Sequence, residues 1–192
     1  MSTRKPLPIG GTHSERPVQS TNSTSVESIP WDSTWSAPAE ESDRRRLVAY
    51  MEERFGMGEH VFEGYVWFRR RHVVRILKDS PHLVSAARLR VEAVGMKAFY
   101  FIGDFIKPST RVIQVVGRHA TRCRIELDGE DLDRLIRGRE IPADERVENG
   151  YMILCHRGDP LGLGLLLNGR LRSQIPKSEA RFFQSRISES NR

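Results

Sequence analysis

Residues 150–176 read GYMILCHRGDPLGLGLLLNGRLRSQIP, and this stretch decides the fold class. Three apolar runs are cut by two turn signals, Arg157-Gly158-Asp159-Pro160 and Asn168-Gly169. Asn-Gly between alternating apolar residues is a strong hairpin signal, because both residues tolerate the left-handed backbone that a tight turn needs. The stretch therefore predicts three antiparallel strands. Upstream, RCRIEL predicts a strand with Cys123, Ile125 and Leu127 on one face. GEDLDRLIRG follows as a short helix capped by Asp128, with Leu132, Leu135 and Ile136 as its apolar stripe. Short strands, tight turns and a short helix together predict a small β-barrel with helical trimmings.

Further towards the N-terminus, Pro108 can open a helix at its first turn, and TRVIQVVG continues it to Gly117. VFEGYVWF and RHVVRIL read as extended segments, with Arg69-Arg70-Arg71 at the turn between them. SAARLRVEAVG reads as a short helix leading into a strand. Leu47, Met51 and Phe55 recur at helical spacing, predicting a helix from Asp43 to Phe55 that stops at Gly56. Residues 1–42 are rich in Ser, Thr and Pro and poor in apolar side chains, so they read as a disordered leader. Within it Trp31 and Trp35 stand apart, as a pair that docks on the folded body or on a partner.

The 192 residues carry a net charge of +6, and the excess lies in the part predicted to fold. Residues 61–106 hold eight basic against four acidic side chains, and residues 107–181 hold fourteen against eleven. Five of the 31 basic residues are lysine; the rest are arginine, whose planar fork suits phosphates and base stacking. The basic residues gather at Arg69, Arg70 and Arg71, at Arg118, Arg122 and Arg124, and at Arg170, Arg172 and Lys177. Together such clusters could build a groove that tracks a phosphate backbone, with Tyr65, Trp67 and Phe68 available for stacking.

Other chemistries find little support. No phosphate-binding GxxxxGK[ST] loop or dinucleotide fingerprint occurs, and Gly162-Leu163-Gly164 reads instead as a place of close backbone approach. Cys123 and Cys155 lack metal-ligand spacing and read as structural thiols. His60, His72, His82, His119 and His156 are scattered. No run has the roughly 20 apolar residues of a membrane span, and no signal-peptide core is present, so a cytoplasmic protein is expected.

The segments KPSTRVIQVVGRHATRCRIEL, DLDRLIRGREI and the 150–177 stretch resemble a PUA-type domain. More closely, they resemble the C-terminal extension of Fmu/Sun-type (RsmF-like) RNA cytosine-5 methyltransferases and their archaeal relatives. The resemblance covers about residues 61–178 and is strongest from Lys107 onward. Its most specific pieces are Lys107-Pro108, Leu135 to Ile141 ending in GREI, and Gly150-Tyr151 followed by Pro160 to Gly164. Arg170-Leu171-Arg172-Ser173 and Pro176-Lys177 complete it. The resemblance implies a module that holds structured RNA, rRNA or tRNA, for a partner domain. The methyltransferase domain itself is missing, and Cys123 and Cys155 do not match its catalytic motifs, so that activity is not carried over.

The expected architecture is α+β. A disordered leader (1–42) precedes a small α/β domain (43–105), a PUA-like RNA-binding domain (106–181) and a flexible tail (182–192). The expected function is non-catalytic RNA binding without a cofactor or metal, in RNA modification or ribosome biogenesis. The candidate RNA-binding residues are Arg69, Arg70, Arg71, Lys107, Arg118, Arg122, Gly162, Gly164, Arg170, Arg172 and Lys177. Two alternatives stand beside this. One is an interaction subunit that recruits an RNA methyltransferase or ribosomal protein. The other is a small PUA-like enzyme, which a cleft pairing His119 or His156 with a carboxylate would favour.

Overall fold

The computed structural model describes residues 29–144, 146–180 and 183. The leader up to residue 28, and the tail apart from position 183, lie outside the described residues. The fold is mixed α and β, with two sheets, one of them curled as a half-barrel.

Ala37–Pro38 forms a short first strand (β1), and helix α1 then spans Glu41–Phe55. The helix begins two residues earlier than the apolar spacing indicates, because Glu40 is already extended and acidic Glu41 and Asp43 suit the first turn. Leu47, Val48, Met51 and Phe55 are buried along one side. Gly56 ends the helix in the left-handed conformation, its N–H donating to Glu52 O at 2.9 Å, while Met57 N–H reaches back to Met51 O at 3.2 Å.

Strands β2 (Tyr65–Arg70) and β3 (Val73–Lys78) form the expected hairpin. Its turn is Arg71-His72, so Arg69 and Arg70 belong to β2 and not to the turn, and they point to opposite faces. A helical turn, α2 (Leu83–Ala86), leads through an irregular segment to β4 (Met96–Ile102) and β5 (Phe105–Pro108). β1 to β5 make an antiparallel sheet in chain order. Pro108 does not open a helix: it ends β5, and Ser109 caps α3 (Thr110–Val116) by accepting Val112 N–H at 3.0 Å.

The second sheet runs β6 (Arg124–Glu126), β8 (Gly150–His156), β9 (Asp159–Leu167), β10 (Arg170–Ser173) and β7 (Ile141–Pro142) in spatial order. β6 is parallel to β8, and the pairs β8–β9, β9–β10 and β10–β7 are antiparallel. Helix α4 (Gly129–Ile136) lies between β6 and β7, with Asp128 accepting Asp131 N–H at 2.8 Å as expected. Both turn signals hold: Arg157 and Gly158 have φ of 54° and 81°, Asn168 and Gly169 have 50° and 69°, and each pair closes a two-residue hairpin.

The largest core lies between the sheets. It joins Leu47, Met51 and Phe55 of α1, Trp67, Ile76 and Phe99 of the first sheet, Val112 and Ile113 of α3, and Ile153, Cys155 and Leu163 of the second. A second core packs Leu132 and Leu135 of α4 against Met152, Leu154, Leu166 and Leu171 on the opposite face of the second sheet. Gly162 and Gly164 serve these cores. A Cβ on Gly162 would meet Ile175 and Thr110 side chains at 2.8 and 2.9 Å, and one on Gly164 would meet Leu154 and Leu171 at 2.8 Å.

Trp31 and Trp35 dock on the folded body. With Val66, Phe68, Leu83 and Val94 they form a third cluster on the outer face of the first sheet. Trp31 meets the Phe68 ring edge-on at 5.1 Å, and the Trp35 indole N–H donates to Leu89 O at 2.9 Å.

Candidate functional site

The two-residue period of the strands places Val66, Phe68 and Arg70 on the outer face of the first sheet. Register carries that face across the sheet as a row, Arg70 opposite Val73, Val73 opposite Tyr100, and Tyr100 opposite Lys107. Ile102 and Phe105 form the next pair, beside the β4–β5 turn. β5 is an outer strand, and beyond its edge lies a cavity of about 580 Å³. Lys97, Tyr100, Ile102, Lys107 and Arg111 line it from one side, Gln174 and Glu179 from the other.

The second sheet supplies the far wall. Leu171 is buried, so neighbouring Arg170 and Arg172 are directed to the opposite, exposed face of β10. Gln174 N–H continues the ladder to Leu163 O at 2.8 Å, which keeps Gln174 in phase with Arg172. The Gln174 side chain then accepts a hydrogen bond from Lys107 Nζ at 2.9 Å. That bond spans the groove and ties Lys107 of the first sheet to the segment that continues β10, the strand on which Arg170 and Arg172 are exposed. Pro176 lines the cavity, and exposed Lys177 follows it. Gln114 Nε2 donates to the Glu179 carboxylate at 3.2 Å. The groove is thus lined by several cations, and its carboxylate is held by a neutral amide.

The remaining candidate residues have other places. Arg69 is tied to buried Asp43 by an ion pair and lies over the Phe101 ring at 4.8 Å, with Arg46 on the same ring at 5.3 Å. Its charge is balanced locally on the inner face, whereas Arg70 and Arg71 are exposed. Arg122 Nη2 donates to Glu52 O at 2.7 Å at the end of α1, and Arg118 is exposed nearby in the chain, ahead of β6. β6 is separated from β10 by two strands, so this cluster does not join the groove. Gly162 and Gly164 are buried, and their lack of a side chain serves packing inside the protein rather than approach by a ligand.

Sequence reading passed over Lys97, Tyr100, Arg111 and Gln174. The signal that could have found them was the Gly103-Asp104 turn, which would have marked β4 and β5 as a hairpin and Tyr100 and Lys107 as facing pairs.

A second cavity, about 740 Å³, lies where α1, β5 and the β8–β9 hairpin meet, lined by Arg46, Tyr50, Arg54, Phe105, Tyr151 and Leu167 among others. Burial pushes the Tyr50 phenol far above its ordinary range, and that of Tyr151 upward as well. Arg54 donates to Tyr151 O at 2.9 Å and Glu148 O at 3.1 Å, which ties α1 to the start of β8. Among the described residues no group of three or more His, Cys, Asp and Glu is arranged to hold a metal ion. His156 has Nδ1 2.8 Å from Leu127 O, a backbone carbonyl and not a carboxylate. Burial, the largest influence on the Cys155 thiol, raises its pKa. No described helix is long and apolar enough to cross a membrane.

A family model described as the methyltransferase RsmF PUA domain matches residues 122–179. The chain is also 25% identical over 107 residues to ribosomal RNA small subunit methyltransferase F of Aeromonas salmonicida (strain A449). That similarity takes in 53% of this chain and spans 22% of the relative's length. The match runs from just ahead of β6, through β10 with Arg170 and Arg172, to the cavity-lining Gln174, Pro176 and Glu179. Residues 122–179 are thus similar to the PUA domain of RsmF-type methyltransferases.

Proposed function

We propose that this protein is a non-catalytic RNA-binding module that holds structured RNA, rRNA in the first instance and tRNA as the related class, during RNA modification or ribosome biogenesis in the cytoplasm. The observation that carries this reading is the meeting of Lys107 with Gln174. It joins the cavity cations Lys97, Lys107 and Arg111 to the segment that continues β10, whose Arg170 and Arg172 are exposed on the preceding residues of the same strand. A phosphate backbone follows such a surface well, because each neutralised phosphate releases condensed counterions. The relative's name places that protein on small-subunit ribosomal RNA, which supports rRNA as the first RNA to test. A recruited methyltransferase or ribosomal protein fits the same role. This reading assigns no chemical step to the chain.

The test is binding of a structured rRNA fragment at several salt concentrations. Lys107→Glu combined with Arg172→Glu is expected to lower affinity at least about ten-fold. It should also flatten the log–log salt dependence by about 0.7–0.9 for each phosphate that is no longer neutralised. Arg118→Glu with Arg122→Glu serves as the control and is expected to change both far less. Equal effects from the two pairs, or none from the first, overturn the assignment of the groove.

A further inference from the structure

On the outer face of the first sheet, β4 and β5 present aromatic, aliphatic and basic side chains side by side. Tyr100 stands opposite Lys107, and Ile102 opposite Phe105. Ile102 is 52% and Phe105 76% exposed, although large apolar groups placed together favour burial. Over β2 and β3 the same face is sealed by Trp31 and Trp35, whereas on β4 and β5 the segment around Gln174 meets Lys107 and leaves Ile102 and Phe105 exposed. The occupant of this surface needs a flat apolar face and negative charge at its edge. Arg70 and Lys107 lie in one row of the platform, and Lys97 and Arg111 line the adjoining cavity. Its acidic neighbours are Glu179, engaged by Gln114, and Asp104, in the turn beside Phe105.

An unpaired nucleobase with its phosphate has this combination of properties. A duplex does not, since its bases are stacked on one another and its outside is sugar and phosphate. We propose that Tyr100, Ile102 and Phe105 form a stacking platform for unpaired bases of a single-stranded RNA segment, whose phosphates pass along Lys107 towards Arg172. The proposal rests on the RNA-binding reading above and deepens it by naming single-stranded RNA as the class this end of the groove accepts. Lys107 belongs to both, as the residue between the platform and the charged groove.

The test uses the full chain, a labelled single-stranded RNA of mixed sequence, and the same strand annealed to its complement. Phe105 is exposed enough for its removal to leave the fold intact. Phe105→Ala is expected to weaken single-strand binding about five-fold or more while leaving duplex affinity and the salt slope unchanged. Phe105→Tyr should retain binding. A fluorescent base analogue in the strand should be quenched by the wild type and less so by Phe105→Ala. Unchanged single-strand affinity in Phe105→Ala, or an equal loss on strand and duplex, overturns the platform and leaves the groove standing. Failure of the wild type to bind either RNA overturns the RNA reading and the platform together. Capture of a protein that depends on Phe105, with RNA binding untouched, overturns it in favour of a protein interface.

Discussion

One face of one sheet is finished in two ways. Over β2 and β3, Val66 and Phe68 lie under Trp31, Trp35, Leu83 and Val94, and Phe68 is fully buried. Over β4 and β5, Tyr100, Ile102, Phe105 and Lys107 occupy equivalent outward positions and remain accessible. The backbone pairing is antiparallel in both regions. What separates them is how the charged groups are placed: on the covered face Arg75, opposite Phe68, donates to Val94 O and Gly95 O at 3.2 and 3.0 Å, while β5 sets Lys107 at the groove, two residues from Phe105. Apolar side chains gain from being covered by the chain's own segment, and a charged group among them is tolerated where, like Arg75, it finds backbone acceptors.

Substitutions at three positions can break or sharpen that contrast. The largest effect is expected from Phe68→Ala, which should cost about 3–5 kcal/mol by opening a cavity beneath two indoles. A shift in the urea midpoint worth less than about 1 kcal/mol would mean that the tryptophans collapse into the space and that the covered region is not a rigid core. Next comes Trp35→Ala, at roughly 2 kcal/mol from the apolar area of the indole and its hydrogen bond to Leu89 O. Trp35→Phe should lose about half of that, and identical losses from both would show that the hydrogen bond contributes more than the ring. Smallest is Phe105→Ala, expected to stay within about 0.5 kcal/mol in the same denaturation assay. A loss near that of Phe68→Ala would show that Phe105 is folded into a core, and the contrast would disappear.

Much of the second sheet could be read from local chemistry. The Asp128 cap, the stripe of Leu132 and Leu135, and the turns at Arg157-Gly158 and Asn168-Gly169 each act within a few residues, so sequence neighbours carry the information. The β4–β5 hairpin was harder to see. In KAFYFIGDFIK every position from Ala98 to Ile102 is apolar or aromatic, because Phe99 faces the inner core while Tyr100 faces the groove. Both faces therefore lack the polar alternation that marks a strand. Pro108, expected in the first turn of a helix, is instead claimed by β5 for pairing with Phe99, and the helix starts after it with Ser109 as its cap. Of the candidate residues, Lys107 lines the groove and is bonded to Gln174, while Arg170 and Arg172 are exposed on the strand that leads to Gln174 and Lys177 follows Pro176. The glycines and Arg69 were placed by packing and by Asp43, partners that lie far away along the chain. Charge clusters are visible in a sequence, but which of them share a concave surface depends on sheet order.

The main core contains Ile153 and Leu163 of the PUA-like region together with Leu47, Trp67 and Phe99 from the other end of the chain. Such sharing bears on portability. Residues 122–179 taken out of their context would leave that inner face of β8 and β9 without its covering, and so would favour aggregation over an independent fold. Within the intact chain the same sharing is expected to make melting a single cooperative event, in which the two walls of the groove are lost together.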